Sequence, residues 1–181
     1  PGPLASVDAT FVNFGASHHE SLDLALEYEL PWRDFGRFRV SLGGSHALVA
    51  RVELQPGVEA SDLVGDSAAP PRWRWAGSVF WRYRAWNASV FASYTGAFAT
   101  NFAGNLLAPQ GYPGVTVVNV NVGYTFRSGL WHGRGKDTKI GIGIGNVFDH
   151  EPPFSDTIFG FNGALHAALG RTYSVSVRLP F

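Results

Sequence analysis

The sequence contains no cysteine, which excludes a disulfide framework and a thiolate metal site together. Charge is also scarce. Asp, Glu, Lys and Arg make up only 15% of the 181 residues, where soluble domains usually carry about 25%. The 14 basic and 14 acidic side chains cancel to a formal net charge of +0, so the basic surplus that nucleic-acid binding requires is missing. No stretch reaches the ~20 consecutive apolar residues of a membrane-crossing helix. Most tellingly, Ala85 to Phe126 holds no Asp, Glu, Lys or Arg. Gly96, Gly104, Pro109, Gly111, Pro113 and Gly114 interrupt that stretch, so it is not one helix. It reads as strand, loop and strand, with one face against something other than water.

Aromatic residues, by contrast, are plentiful at 14%, and glycine is frequent at 22 residues. Their placement follows the two-residue period of strands, whose successive side chains point to opposite faces. Between Arg72 and Arg84, one face carries Trp73, Trp75, Gly77, Val79, Trp81 and Tyr83; the other carries Arg72, Arg74, Arg82 and Arg84. The rings sit at both ends of a small apolar middle. From Trp73 to Tyr83 a strand spans ~33 Å, or ~25 Å of height at a tilt of ~40°. That matches the apolar band of an outer-membrane barrel, with an aromatic girdle at each rim.

The pattern recurs along the chain. Trp86, Ala88, Val90, Ala92, Tyr94 and Phe98 oppose Asn87, Ser89, Phe91, Ser93 and Thr95, and Val118, Val120, Val122, Tyr124 and Phe126 oppose Val117, Asn119, Asn121, Gly123 and Thr125. Leu22, Leu24, Leu26, Tyr28 and Leu30 share a face, as do Phe38, Val40 and Leu42. Ile140, Ile142 and Ile144 alternate with Gly141, Gly143 and Gly145, and Tyr173, Val175, Val177, Leu179 and Phe181 close the chain. With a weaker strand over Ala5–Gly15, about eight antiparallel strands are expected, arranged as a meander. The fold class is therefore all-β. Pro31–Asp34 and Arg84–Asn87 read as short connections, and Arg127–Asp137 as an intermediate one. Glu53–Pro70, Phe98–Gly114 and Phe148–Leu169 read as long loops, and Ala16–Ser21 as a short one. Short turns at one end and long loops at the other are the barrel habit, with the long loops extracellular. On that reading Tyr28, Trp32, Phe38, Tyr83, Trp86, Tyr124, Phe126 and Phe181 form one girdle.

One segment is more specific. Asn146-Val147-Phe148-Asp149-His150-Glu151-Pro152-Pro153 resembles the N-L-F-D-x-x-P-P signature near the end of TonB-dependent receptor barrels. Gly160-Phe161 resembles the Gly-Tyr of the following loop, Gly170-Arg171 the Gly-Arg that opens the last strand, and Phe181 the terminal aromatic. Asn13-Phe14-Gly15 with Ser21-Leu22-Asp23 resembles an upstream hairpin of the same family. The resemblance implies that residues 1–181 form a single partial barrel domain, the C-terminal portion of a barrel of roughly 22 strands. It further implies a plug domain and additional strands outside these residues. The implied function is energised uptake across the outer membrane of a scarce, bulky ligand, such as an iron–siderophore, a cobalamin or a glycan. The implied partners are outer-membrane lipid, the plug and remaining strands, the TonB complex through an N-terminal part, and the barrel-assembly machinery through Phe181. An isolated piece of this kind is expected as an open sheet or an artificially closed barrel, since unpaired edges are not tolerated in lipid.

Within this frame Phe98, Phe102, Tyr112, Phe154, Phe159 and Phe161, all on the long loops, are the candidates for ligand contact. They can equally pack on each other. His18-His19-Glu20 and Asp149-His150-Glu151 have metal-ligating residue types without a one-face spacing and read as solvated loops. Asp23, Glu27 and Glu29 face the strand bearing Arg37 and Arg39, and Arg72, Arg74, Arg82 and Arg84 follow; these charges read as wall-to-wall or wall-to-plug ion pairs, or the arginines as guides for an anionic ligand. Gly141, Gly143 and Gly145 read as small inward residues that leave room for a plug. No Ser/His/Asp arrangement supports catalysis, and no cofactor or metal set is expected. The competing readings are a self-contained eight-stranded barrel acting as adhesin or anchor, a soluble lipocalin-like binder with inverted facing, and a barrel enzyme.

Overall fold

The computed structural model describes residues 15–53, 59–67, 69–100, 110–126, 137–155 and 160–179. The alternating segments form long strands: β1 (Ala16–Trp32), β2 (Gly36–Glu53), β4 (Trp73–Tyr83), β5 (Trp86–Thr95), β8 (Val115–Phe126), β9 (Thr138–Gly145) and β10 (Thr172–Arg178). They pair antiparallel in the order β1-β2-β4-β5-β8-β9-β10, each with its neighbour in sequence among the long strands. A short β3 (Ser61–Asp62) adds to the end of β2. A separate hairpin joins β6 (Phe98–Thr100) to β7 (Gln110–Tyr112). There is no helix among the described residues. Among the described residues the sheet is open, because β1 and β10 each pair on one side only.

Directly opposed residues of an antiparallel pair lie on the same face, so the register sorts the whole sheet. Tyr28, Val40, Val79, Val90, Val120 and Ile144 follow one another across six strands. Glu29, Arg39, Phe80, Ser89, Asn121 and Gly143 form the neighbouring row on the opposite face. The apolar face expected strand by strand is thus one continuous surface. Tyr28, however, belongs to the valine row and not to the ring-rich row of Tyr83, Trp86 and Tyr124.

Two tight turns explain the short connections. β1 passes to β2 through Arg33-Asp34-Phe35, closed by the Phe35 amide on the Trp32 carbonyl at 3.1 Å. Gly36 follows at φ 98°, and a Cβ there would collide with the Arg82 carbonyl. Only glycine meets both demands. β4 passes to β5 through Arg84-Ala85, with Arg84 at φ 55°, a conformation that costs a non-glycine residue on the order of 1 kcal/mol. The long connections 54–72, 96–114 and 146–171 all leave from the other end of the sheet.

Three sequence expectations are corrected. Ala16–Ser21 is strand, not loop: it pairs with Ala47–Glu53, with a bulge between Glu20 and Ser21 that leaves Leu48 without a partner. Ser17, His18, His19, Glu20 and Ser21 are polar in succession, and the absence of an apolar alternation hid the strand. β2 also runs well past Leu42. Its apolar alternation lapses at Gly44 because the Trp75 ring from β4 lies over that glycine. Phe98 does not continue β5; the chain turns away at Gly96, whose amide donates to the Trp73 carbonyl at 2.8 Å. The expected strand over Ala5–Gly15 and the residues Asn13, Phe14 and Phe181 lie outside the described residues, apart from Gly15, which is not in a strand.

Candidate functional site

The apolar face has no second layer of protein over it among the described residues. Leu22, Leu26 and Tyr28 are 65%, 55% and 58% exposed, and Ile142, Tyr173, Val175 and Val177 are 60%, 72%, 75% and 60% exposed. Among the described residues, buried hydrophobic ones are limited to Ala47, Ala50, Phe98 and Tyr112. A soluble domain buries the apolar side of its sheet against another layer, and the largest apolar patch on a typical monomer is ~300–600 Å². The face spanning β1 to β10 is far larger.

Rings gather at both ends of this face. At the short-turn end Trp32 meets Phe35 and Phe38 at 5.2 and 6.3 Å, Trp86 meets Tyr124 at 4.7 Å, and Tyr124 meets Phe126 at 4.7 Å. The Trp81 indole N–H donates to the Phe35 carbonyl at 2.6 Å. At the long-loop end Trp73 stacks on His46 at 3.7 Å and on Trp75 at 5.8 Å. Valine, leucine and isoleucine occupy the middle. Rings with one polar atom suit a boundary between an apolar and an aqueous medium.

The Asn146–Pro153 segment is a clasp. Asn146 and Asp149 adopt φ 49° and 56°, a region that Asn and Asp tolerate better than most residues. The Asn146 side chain is nearly buried at 6% exposure. Its Oδ1 accepts from the His150 amide at 3.0 Å, and its Nδ2 donates to the His150 carbonyl at 2.8 Å. Its own amide donates to Asn119 Oδ1 at 2.9 Å, which ties the end of β9 to β8. Asp149 Oδ1 accepts from the Arg171 amide at 2.6 Å and fills the space that a side chain at Gly170 would need. Asn146, Asp149, Gly170 and Arg171, spread over the chain, therefore meet as one knot that launches β10. Phe148 stands 61% exposed beside this knot, and Pro152 and Pro153 are half-buried.

Of the six loop aromatics, Phe98 and Tyr112 are 3% and 4% exposed and stack on each other at 4.9 Å. They anchor a small cluster where all three long connections meet. Ser67 and Ala99 exchange contacts across it through the Ser67 amide on the Ala99 carbonyl at 2.9 Å. The Asn162 Nδ2 donates to the Ser67 carbonyl at 3.1 Å, and His166 packs on Phe98 at 5.8 Å. Burial holds the His166 imidazole below its ordinary pKa of 6.5. The Tyr112 hydroxyl and His166 Nε2 are buried with no hydrogen-bond partner among the described residues. An open cleft of about 510 Å³ lies beside Phe98 and Tyr112, with Trp73, Tyr94 and Arg72 on its walls. Phe154 is 79% exposed and Phe161 half-buried. Phe102 and Phe159 lie outside the described residues.

On the polar face, Arg39 binds Glu29 at 2.6 Å and Glu27 at 3.8 Å. His18 and Glu20 pair at 2.9 Å as exposed strand residues, not as a loop. No group of three or more His, Asp or Glu positioned for a metal occurs among the described residues. The three glycines of β9 do not leave open room. Asn121 of β8 and Ser174, Ser176 and Thr172 of β10 lean into the space that side chains at Gly141, Gly143 and Gly145 would take. Comparison with protein-family models, curated proteins and solved structures found no match.

Proposed function

We propose that this chain is a stretch of an outer-membrane β-barrel, the C-terminal strands of a TonB-dependent receptor that takes up a scarce, bulky ligand by energised transport. The observation that carries the membrane reading is the uncovered apolar face, with aliphatic side chains in the middle and rings at both ends. In water such a surface would drive association, at about 25 cal/mol per Å² of apolar area. In a bilayer it faces its own kind, and the rings meet the headgroup level. The polar face then looks into an aqueous lumen, which accommodates the exposed ion pairs of Arg39. Long connections gathered at one end fit the extracellular side, and the short turns the periplasmic side. The free outer edges of β1 and β10 fit a sheet completed by further strands, because unpaired strand edges are excluded from lipid. The assignment to receptors of this kind rests on the Asn146–Pro153 resemblance and on the residues of that motif meeting in one clasp. A self-contained eight-stranded barrel would need its first and last strands to pair, and among the described residues β1 and β10 do not pair with each other.

The test is tryptophan fluorescence of the chain folded into vesicles with lipids brominated at graded acyl depths. Quenching of Trp81 and Trp86 by shallow bromines, with Val90→Trp quenched by deep ones, is the expected result. Quenching of Ser89→Trp in place of Val90→Trp would overturn the membrane facing. The transport reading is tested separately, by ligand-dependent growth of cells that carry the parent gene with and without Asn146→Ala.

A further inference from the structure

We propose that the polar face carries a phosphate-type oxyanion site at its short-turn end, built on Arg37 and Arg82. The site rests on strand register and is independent of what covers the apolar face.

Arg37 and Arg82 are direct cross-strand partners in β2 and β4. Their side chains leave the same face with Cβ atoms ~5 Å apart, and like charges so placed repel. The nearest carboxylates, Glu29 and Glu27, both pair with Arg39, and that triad's single net negative charge offsets only one of the two arginines. Among the described residues neither Arg37 nor Arg82 has a carboxylate within ion-pair distance. Arg82 is instead held over the Phe80 ring at 5.5 Å, an apolar support that orients the guanidinium without neutralising it. The two arginines open onto a cavity of about 360 Å³, shared with Glu29, Pro31, Arg39 and Phe80. Asn87, directly opposite Arg82 on β5, adds an amide donor to the same row.

Two guanidinium forks converging on one space are the arrangement that binds a tetrahedral oxyanion through paired N–H···O bonds. The surroundings favour an anion as well. At the same end of the polar face Lys139 opposes Arg178, a second like-charged pair. A chain with a net charge of zero thus carries an excess of positive over negative charge at one end of one face, which raises the local concentration of anions. The ligand class is a phosphate group, free or carried on a larger molecule.

The test uses the 181-residue chain folded in non-ionic detergent. Thermal unfolding is followed by circular dichroism with inorganic phosphate or glycerol 2-phosphate against chloride of equal ionic strength. Phosphate is expected to raise the midpoint, and Arg37→Gln and Arg82→Gln to abolish that rise. Without phosphate, both variants are expected to melt at or above the wild-type midpoint, because repulsion is relieved. Arg82→Lys keeps the charge but loses the fork, and is expected to weaken phosphate at least tenfold; Arg74→Gln, on the same face but away from the cavity, is expected to change nothing. A rise with inorganic phosphate alone identifies a free ion as the ligand, and an equal rise with the monoester identifies a phosphate carried on a larger molecule. Absence of any phosphate-specific rise overturns the site. So does a lowered midpoint for both glutamine variants in chloride, which would mean that the arginines serve internal contacts.

Discussion

Replacing Val120 by arginine separates a lipid-facing sheet from one that faces water. Val120 lies in the valine row of the apolar face, between Val90 and Ile144. Arginine at the midplane of a membrane barrel's outer face costs ~2–4 kcal/mol, which is about 30- to 1,000-fold in the folding equilibrium. Thr116 lies four residues along the same strand, on the same face as Tyr94. The offset is ~13 Å along the strand, or ~10 Å of height at a tilt of ~40°. Arginine there sits near the rim and is expected to cost only ~0–1 kcal/mol. Asn121 adjoins Val120 but points to the polar face, so Asn121→Arg is expected to stay within ~0.5 kcal/mol of wild type. Guanidinium titration of the three variants refolded into vesicles measures the series. A Val120→Arg cost no larger than that of Asn121→Arg would refute the reasoning, because a water-exposed valine on a sheet surface has little to lose.

Three further outcomes are expected. Asn146→Ala removes the bonds to both His150 backbone groups and is expected to cost ~2–3 kcal/mol; Asn146→Asp keeps the acceptor and should recover part of it, as read by the same titration. Tyr112→Phe deletes a buried hydroxyl that has no partner among the described residues, so stability is expected to rise by up to ~1 kcal/mol; a loss of that size would reveal a partner for the hydroxyl. His166 takes up its proton less readily folded than unfolded, so the long-loop cluster is expected to hold above pH 6.5 and to weaken as pH falls below it. Amide exchange at Ser67 and Ala99, followed through that range in wild type and His166→Gln, checks this, and an unchanged pH response in the variant would contradict it.

The strand class and the division into two faces were legible in the residues themselves. Backbone alternation is local, and Trp73 to Tyr83 or Val118 to Phe126 declare their two sides without reference to any neighbour. The motif at Asn146–Pro153 was legible as a pattern of residue types. Its physical work was not, because the Asn146–His150 and Asp149–Arg171 bonds depend on left-handed backbone and on a loop returning to the sheet.

Other features were decided only by pairing between strands. Pairing with β2 beyond the bulge at Leu48 carried β1 back to Ala16, and Trp75 lying over Gly44 let β2 continue through residues with no apolar period of their own. The closing of Phe98 on Tyr112 was one of two alternatives open for the loop aromatics, since either ring could have faced outward. Register also set Arg37 against Arg82 while Arg39 took both neighbouring carboxylates. Composition and periodicity thus determined what each strand is and which side of it is apolar. The tertiary structure decided which side chains meet, because cross-strand neighbours lie ~5 Å apart in space while being tens of residues apart in the chain.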